Sequence, residues 1–365
     1  MDKTQKRYLL LILLLALAYF AIFILPNQTG AADATMLSAF EHDEFAQYPN
    51  LMQMFRGGET SLLAFKHFLT YQHYYYGFPF YLFSALVLFP VKWMLGPDWV
   101  AHTRTIMTVL RQLISVLPVL LSAILLVLDQ LRSKAPWKAL LTFLLLISLP
   151  AVVGNNMWWH PDGLLTLFCT LTVLLLIRDE GKLGLYFYLS GVACALAIGA
   201  KFLGALFVLT YIAYLIYAKI ARKQTWKKVI LSAGAFLAVM LGSVVITNPL
   251  LLLPIERGEI VAAVSIIFSE SAQGFYVAGG GFITKLKDVA LVLRSSYGGV
   301  LLFLIALANL VVCLVKRRNV LKSLVVLTWV AALMGYFLFY ASTLRGHYFI
   351  PAVLPLYACL LDLVP

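Results

Sequence analysis

Glu41-His42-Asp43-Glu44 sets three carboxylates and a histidine in four consecutive positions of a chain in which only 12% of residues are charged. A carboxylate at a membrane–water boundary can take the proton of an incoming hydroxyl. In an inverting sugar transfer such a base lies opposite the leaving group. Asp43 and Glu44 are therefore candidate catalytic residues, and their types and spacing do not choose between them. A second group is His160-Pro161-Asp162, after Trp158-Trp159. Asp162 in a first helical turn would favour the helix dipole, and the tryptophans would anchor an interface. The same residues could equally turn Asp162, with His160, towards a substrate or a basic partner. Lys201 is the one charge between 185 and 218, and Arg345 stands beside His347 and Tyr348. An ammonium point charge and a guanidinium fork both suit phosphate. With Lys285, Lys287 and Arg294, which a long loop could simply solvate, these cations predict an anionic ligand such as a lipid phosphate.

The elements that must hold these groups are apolar. The chain has 365 residues, 62% of them hydrophobic, with a mean hydropathy of +0.91. Soluble domains carry about 45–50% apolar residues, whereas runs of about 20 apolar residues span bilayers. The fold expected is all-α, a polytopic membrane protein. Lys3, Lys6 and Arg7 precede an apolar run too long for a secretory h-region, so a retained signal-anchor over 8–26 is expected. Basic loops at 132–138, 178–182, 219–228 and 316–322 go to the cytoplasm by the positive-inside rule.

That assignment fixes the parity. It gives about ten transmembrane helices in a single domain over 1–365. Residues 27–104 form a first outer loop with interfacial helices, at 78–95 and near 61–70, and 185–218 crosses twice with a turn at Gly199-Ala200-Lys201. Residues 255–295 form an outer loop made flexible by Gly279-Gly280-Gly281. The acidic cluster, His160-Pro161-Asp162, Lys201, the glycine-rich stretch and Arg345-Gly346-His347-Tyr348 all fall on the outer side. Ionisable groups near membrane depth are costly and tend to mark function.

Other classes recede. The net charge of +12 sits in short loops between apolar runs, so nucleic acid is not an expected partner. Cys169, Cys194, Cys313 and Cys359 lie in apolar runs without CxxC spacing and read as small core residues. Walker A, GxGxxG and HExxH motifs are missing. No cofactor is assigned. A divalent metal is compatible with His42, His67, His73 and His102 beside Glu41 or Glu44, although their spacing is irregular.

His42-Asp43-Glu44-Phe45, Tyr76-Gly77-Phe78-Pro79-Phe80-Tyr81, His160-Pro161-Asp162-Gly163-Leu164-Leu165, Gly199-Ala200-Lys201-Phe202-Leu203-Gly204 and Arg345-Gly346-His347-Tyr348-Phe349-Ile350-Pro351 follow one another along the chain. In content and order they resemble the GT-C glycosyltransferases, in particular the lipid-carrier-dependent branch that includes protein O-mannosyltransferases and the aminoarabinose transferase of lipid A. The resemblance implies a GT-C-like fold with Asp43 as the base. It also implies a sugar donor on a polyprenyl or dolichyl phosphate, whose phosphate Lys201 and Arg345 would hold. Two departures stand out: the chain has no soluble C-terminal domain like that of longer members, and Ala46 replaces a basic residue of some relatives.

The expected activity is thus an inverting transfer from that donor to a hydroxyl of a glycan, lipid or protein acceptor. Asp43 would be the base, with Glu44 and Asp162 beside it, and Lys201, Arg345, His160, His347 and Tyr348 would bind substrate. The expected location is a cell membrane, a bacterial inner membrane, with the site on the periplasmic or extracellular side. The alternative is a transporter or flippase for a lipid-linked or anionic substrate, though no two-fold internal repeat of the transporter kind is visible.

Overall fold

The computed structural model describes residues 1–273 and 281–363, and these are helical with no strand among them. Gly279 and Gly280 lie outside the described residues. On either side of them, Pro254–Gln273 and Phe282–Ser296 are helices, so most of the stretch expected as an outer loop has regular structure.

Each helix starts or stops for a local reason. Asp2 and Gln5 form a reciprocal capping box that opens Lys3–Ile22. Along that helix Leu10, Leu13, Leu14 and Leu17 remain exposed while Ile12 and Ala16 are buried, the surface of a helix that meets lipid on one side. Thr225 caps Trp226–Thr247 through its hydroxyl. The four cysteines are free and buried among apolar neighbours.

Side-chain ties separate the two ends of the bundle. At one end, Gln5 reaches the carbonyls of Arg132 (3.2 Å) and Ser133 (3.3 Å). Arg222 Nε donates to the Glu180 carbonyl (2.7 Å), Gln130 to that of Ala358 (2.6 Å), and Lys322 pairs with Asp362 (2.8 Å). The basic loops therefore gather at the end that holds the N-terminus. At the other end, Tyr19 donates to the Ile147 carbonyl (2.9 Å) and accepts from Asn156 (3.1 Å).

The described helices do not confirm a count of ten spans. Six are long and apolar enough to cross a membrane: Lys3–Gln28, Phe78–Leu95, Thr103–Leu131, Phe202–Ile220, Trp226–Thr247 and Val320–Phe339. Phe282–Ser296 and Val300–Val315, bent by 98° at Gly298-Gly299, make a seventh if taken together. The difference has a physical cause. Trp137–Ser148 has only 12 residues and Leu185–Ala200 only 16, and Asp162–Asp179 carries charges at both of its ends.

Phe78–Leu95, expected as an interfacial helix, is long and apolar enough to cross, and it packs on the first loop, on the site end and, through Phe83 on Phe168, on Asp162–Asp179. Phe80 stacks on Trp159, Ser84 accepts from the Trp159 indole, and Phe89 and Lys92 pack on Phe55. Leu185–Ala200 ends at Ala200, and Lys201 is extended before a 3-10 turn over Phe202–Phe207, so the expected turn is present.

Two features of this end bear on the site. Arg111–Val116 is a turn of π-helix, placed just before Pro118, which has no N–H to give to the ladder; such turns recur at functional sites. Gly77 touches Gly199 so closely that a Cβ on Gly77 would lie 1.6 Å from the Gly199 carbonyl oxygen. Only glycine allows that approach, and it brings Tyr76 beside Lys201.

Candidate active site

Glu44 and Asp43 share the first turn of His42–Gln53 and point to different surroundings. Glu44 is fully buried. Its Oε1 accepts from Arg111 Nε (2.8 Å) and from the Trp159 backbone N–H (2.5 Å), and its Oε2 accepts from Arg111 Nη2 (2.5 Å). Arg111 Nη1 donates to the carbonyls of Asn27 (2.9 Å) and Thr29 (2.8 Å). Four segments are thus tied together by one bidentate, charge-assisted pair. With both oxygens occupied, Glu44 has the environment of an anchor, and Asp43 is left as the available carboxylate of the two.

Asp43 is half-buried, and its charge is felt by His73, Tyr76 and His160. The three belong to one aromatic patch. Tyr81 Oη bonds His73 Nδ1 (2.7 Å), and Tyr76 Oη bonds His160 Nε2 (2.8 Å). Trp158 stacks on His160 at 4.1 Å and 12°. Burial holds both histidines below the ordinary imidazole range, against the pull of the nearby aspartates.

The centre of the site is Asp162, fully buried. His160 Nδ1 lies against its Oδ2, Lys201 Nζ donates to both oxygens (2.9 and 3.0 Å), and His347 Nε2 is 4.0 Å from Oδ2. The helices favour this pair twice over. Asp162 begins a helix and Lys201 follows the end of another, so each charge meets the dipole end of opposite sign. Lys201 also lies over the Tyr348 ring at 4.3 Å, a cation–π contact. Burial drives the His347 pKa down to about 3.

Two cavities flank this centre. An apolar one of about 280 Å³ is lined by Phe202, Leu206, Phe268 and Phe337, and also by Tyr76, Lys201 and Tyr348. A polar one of about 410 Å³ is lined by Glu41, Asn155, Trp158, Ser296, Arg345 and His347. Burial, and then Glu44, push the Glu41 carboxyl above its usual range.

Of the residues expected from sequence, His160, Asp162, Lys201, His347 and Tyr348 come together around one carboxylate, with Asp43 acting on its edge. Arg345 is exposed and lines the polar cavity, not the one that holds Lys201. The histidines of the first outer region do not converge. His42 and His102 are exposed, His67 bonds the Gly57 carbonyl (2.5 Å) and His73 bonds Tyr81.

Sequence reading missed Arg111 and the role of Tyr76. Arg111 did carry a signal, because a lone arginine inside the apolar run 105–128 is costly unless partnered. Tyr76 carried none, since its hydroxyl meets His160 only through the fold.

Residues 104–247 match the family model of dolichyl-phosphate-mannose-protein mannosyltransferases. The segment includes Arg111, His160, Asp162 and Lys201; Asp43, Arg345, His347 and Tyr348 lie outside it. No curated protein and no solved structure matches the chain. Over residues 104–247 the chain is thus similar to the mannosyltransferases, a family of the GT-C superfamily, and that similarity supports a membrane glycosyltransferase of the GT-C type.

Proposed function

We propose that the protein transfers a sugar from a polyprenyl- or dolichyl-phosphate carrier to an acceptor hydroxyl, at the bundle end opposite the basic loops, the outer face of the membrane. The observation that carries this reading is Lys201. Its ammonium has three protons, and two are given to Asp162. The same side chain lines the apolar cavity together with Tyr76 and Tyr348, over whose ring the ammonium lies. An amphiphile with an isoprenoid tail and a phosphate head fits that pairing of an apolar wall and a single cation. Asp162 keeps the ammonium in place, and His160 Nε2 and the Tyr76 hydroxyl hold one another by a hydrogen bond.

In the reaction, Asp43 takes the proton of the acceptor hydroxyl, and the hydroxyl oxygen attacks the anomeric carbon. The bond from that carbon to the phosphate oxygen breaks, and the lipid phosphate departs with its electron pair, stabilised by Lys201. A single displacement inverts the anomeric centre. The polar cavity, with Glu41 and Arg345, is on the side suited to a hydrophilic acceptor. Glu44 serves the base indirectly, by fixing the helix that presents Asp43.

The test is transfer of radiolabelled sugar from polyprenyl-phosphate donors by purified, reconstituted protein. Wild type should transfer, and Asp43→Asn should lose about 10²-fold or more, the scale of general-base catalysis. Equal rates would remove Asp43 from the mechanism. Donor carried across the bilayer without transfer would favour a flippase.

A further inference from the structure

We propose that His160, Asp162 and His347 form a binding site for one first-row transition-metal dication, of the zinc or cobalt class. Among the described residues these three each offer a ligand atom, and the atoms lie within 4.8 Å of one another. The imidazole of His347 is under-used: its Nε2 is buried and has no hydrogen-bond partner, while His160 Nδ1 lies against the Asp162 carboxylate alone. A buried polar atom left without a partner is uncommon and calls for an explanation such as an ion.

The surroundings are those of a ligand shell. Tyr76 bonds the far nitrogen of His160 (2.8 Å), the outer contact that fixes which ring nitrogen faces a metal. Trp158 stacks on His160 and packs edge-on against His347 at 5.1 Å, setting both ring planes. Two imidazoles and one carboxylate suit zinc, cobalt or iron, whereas magnesium and calcium prefer oxygen alone. Three protein ligands leave a coordination position open, the pattern of catalytic sites. On the proposed transferase reading, on which only this clause rests, a phosphate oxygen of the donor would take that position.

To sit about 3.3 Å apart, the edge of a tetrahedron with ~2.0 Å bonds, His347 Nε2 would draw in towards Asp162 and His160 Nδ1 would move back from it. Lys201 sets a distinctive constraint, because its ammonium already holds both oxygens of Asp162. A dication and Lys201 therefore compete electrostatically for one carboxylate, and removing the lysine charge should tighten the metal. A merely adventitious surface site would not respond in that way.

The experiment is Co2+ titration of tag-free, chelator-stripped full-length protein in detergent, read by visible absorption without any sugar donor. Expected is one Co2+ per chain, displaced by Zn2+. His347→Ala should weaken it about 100-fold, Lys201→Met should tighten it about tenfold, and His102→Ala, at an exposed position, should change nothing. Absence of stoichiometric binding, or binding indifferent to both His347→Ala and Lys201→Met, overturns the proposal. Should His347→Ala not fold, Lys201→Met decides: tighter binding supports the site, and unchanged or weaker binding overturns it. Because no transfer is measured, the outcome is independent of whether the protein is a transferase.

Discussion

The molecule holds two buried carboxylate–cation pairs at the same end, and they differ in completeness. Around Glu44 and Arg111, guanidinium nitrogens, a backbone N–H, two carbonyls and both carboxylate oxygens are matched, and neither of the two cavities beside Asp162 is lined by the pair. Around Asp162 and Lys201, His347 Nε2 lacks a partner, His160 Nδ1 has only the Asp162 carboxylate, and a cavity lies on either side. A saturated pair holds segments together, because losing either partner alone leaves a buried charge behind. An unsaturated pair beside open space can exchange partners, which binding and chemistry require. Charge content alone would rank the two alike; what separates them is the count of unmet hydrogen bonds.

Breaking the saturated pair should have the largest effect. Arg111→Met strands the Glu44 carboxylate and the two carbonyls, at a cost of about 3–5 kcal/mol. The expected result is loss of the folded, monodisperse protein in thermal unfolding and size-exclusion measurements, with activity lost only as a consequence. A stable, folded Arg111→Met would erase the distinction between the two pairs.

A smaller and more selective effect is expected at Tyr76. Tyr76→Phe removes a hydroxyl that bonds His160, a net contribution of about 1 kcal/mol, so transfer should fall about fivefold with unfolding unchanged. A drop in both by the same proportion would make Tyr76 part of the scaffold.

The smallest expected effect is a pH dependence at Glu41, whose half-buried carboxyl is raised above its ordinary 4.5 by burial and by Glu44. Where the folded pKa is the higher one, the unfolded chain releases its proton first. Stability is therefore fullest below about 4.5 and falls as pH rises through the folded pKa. Glu41→Gln should be indistinguishable from wild type in acid and more stable than wild type at neutral pH, as measured by thermal unfolding across that range. The opposite ordering would place Glu41 in a stabilising ion pair.

How much of this was legible in sequence depended on distance along the chain. The clustering of ionisable groups at one end could be read, because the positive-inside rule and apolar run lengths are local properties. The turn at Lys201 could be read from a lone charge between apolar runs. Glu44 could not be told from Asp43, because the difference is a partner 67 residues away. Run length and span count part for a related reason. Residues 137–155 form two helices broken at Leu149-Pro150, and 300–315 continues a chain bent through 98°, so run length and helix length part company. The meeting of His347 with His160 is set by tertiary packing, and no spacing in the sequence announces it.

The most direct test replaces both partners of each pair and measures transfer and unfolding together. Asp162→Asn with Lys201→Met removes the two charges at once and leaves no buried charge unpaired, so the protein should fold and unfold much as wild type does while transfer falls about 10²-fold or more. Glu44→Gln with Arg111→Met should instead lose the fold, because the carbonyls of Asn27 and Thr29 and the Trp159 N–H lose charged partners with them. A doubly substituted Asp162/Lys201 protein that is folded and still transfers at the wild-type rate would contradict the assignment of chemistry to the unsaturated pair.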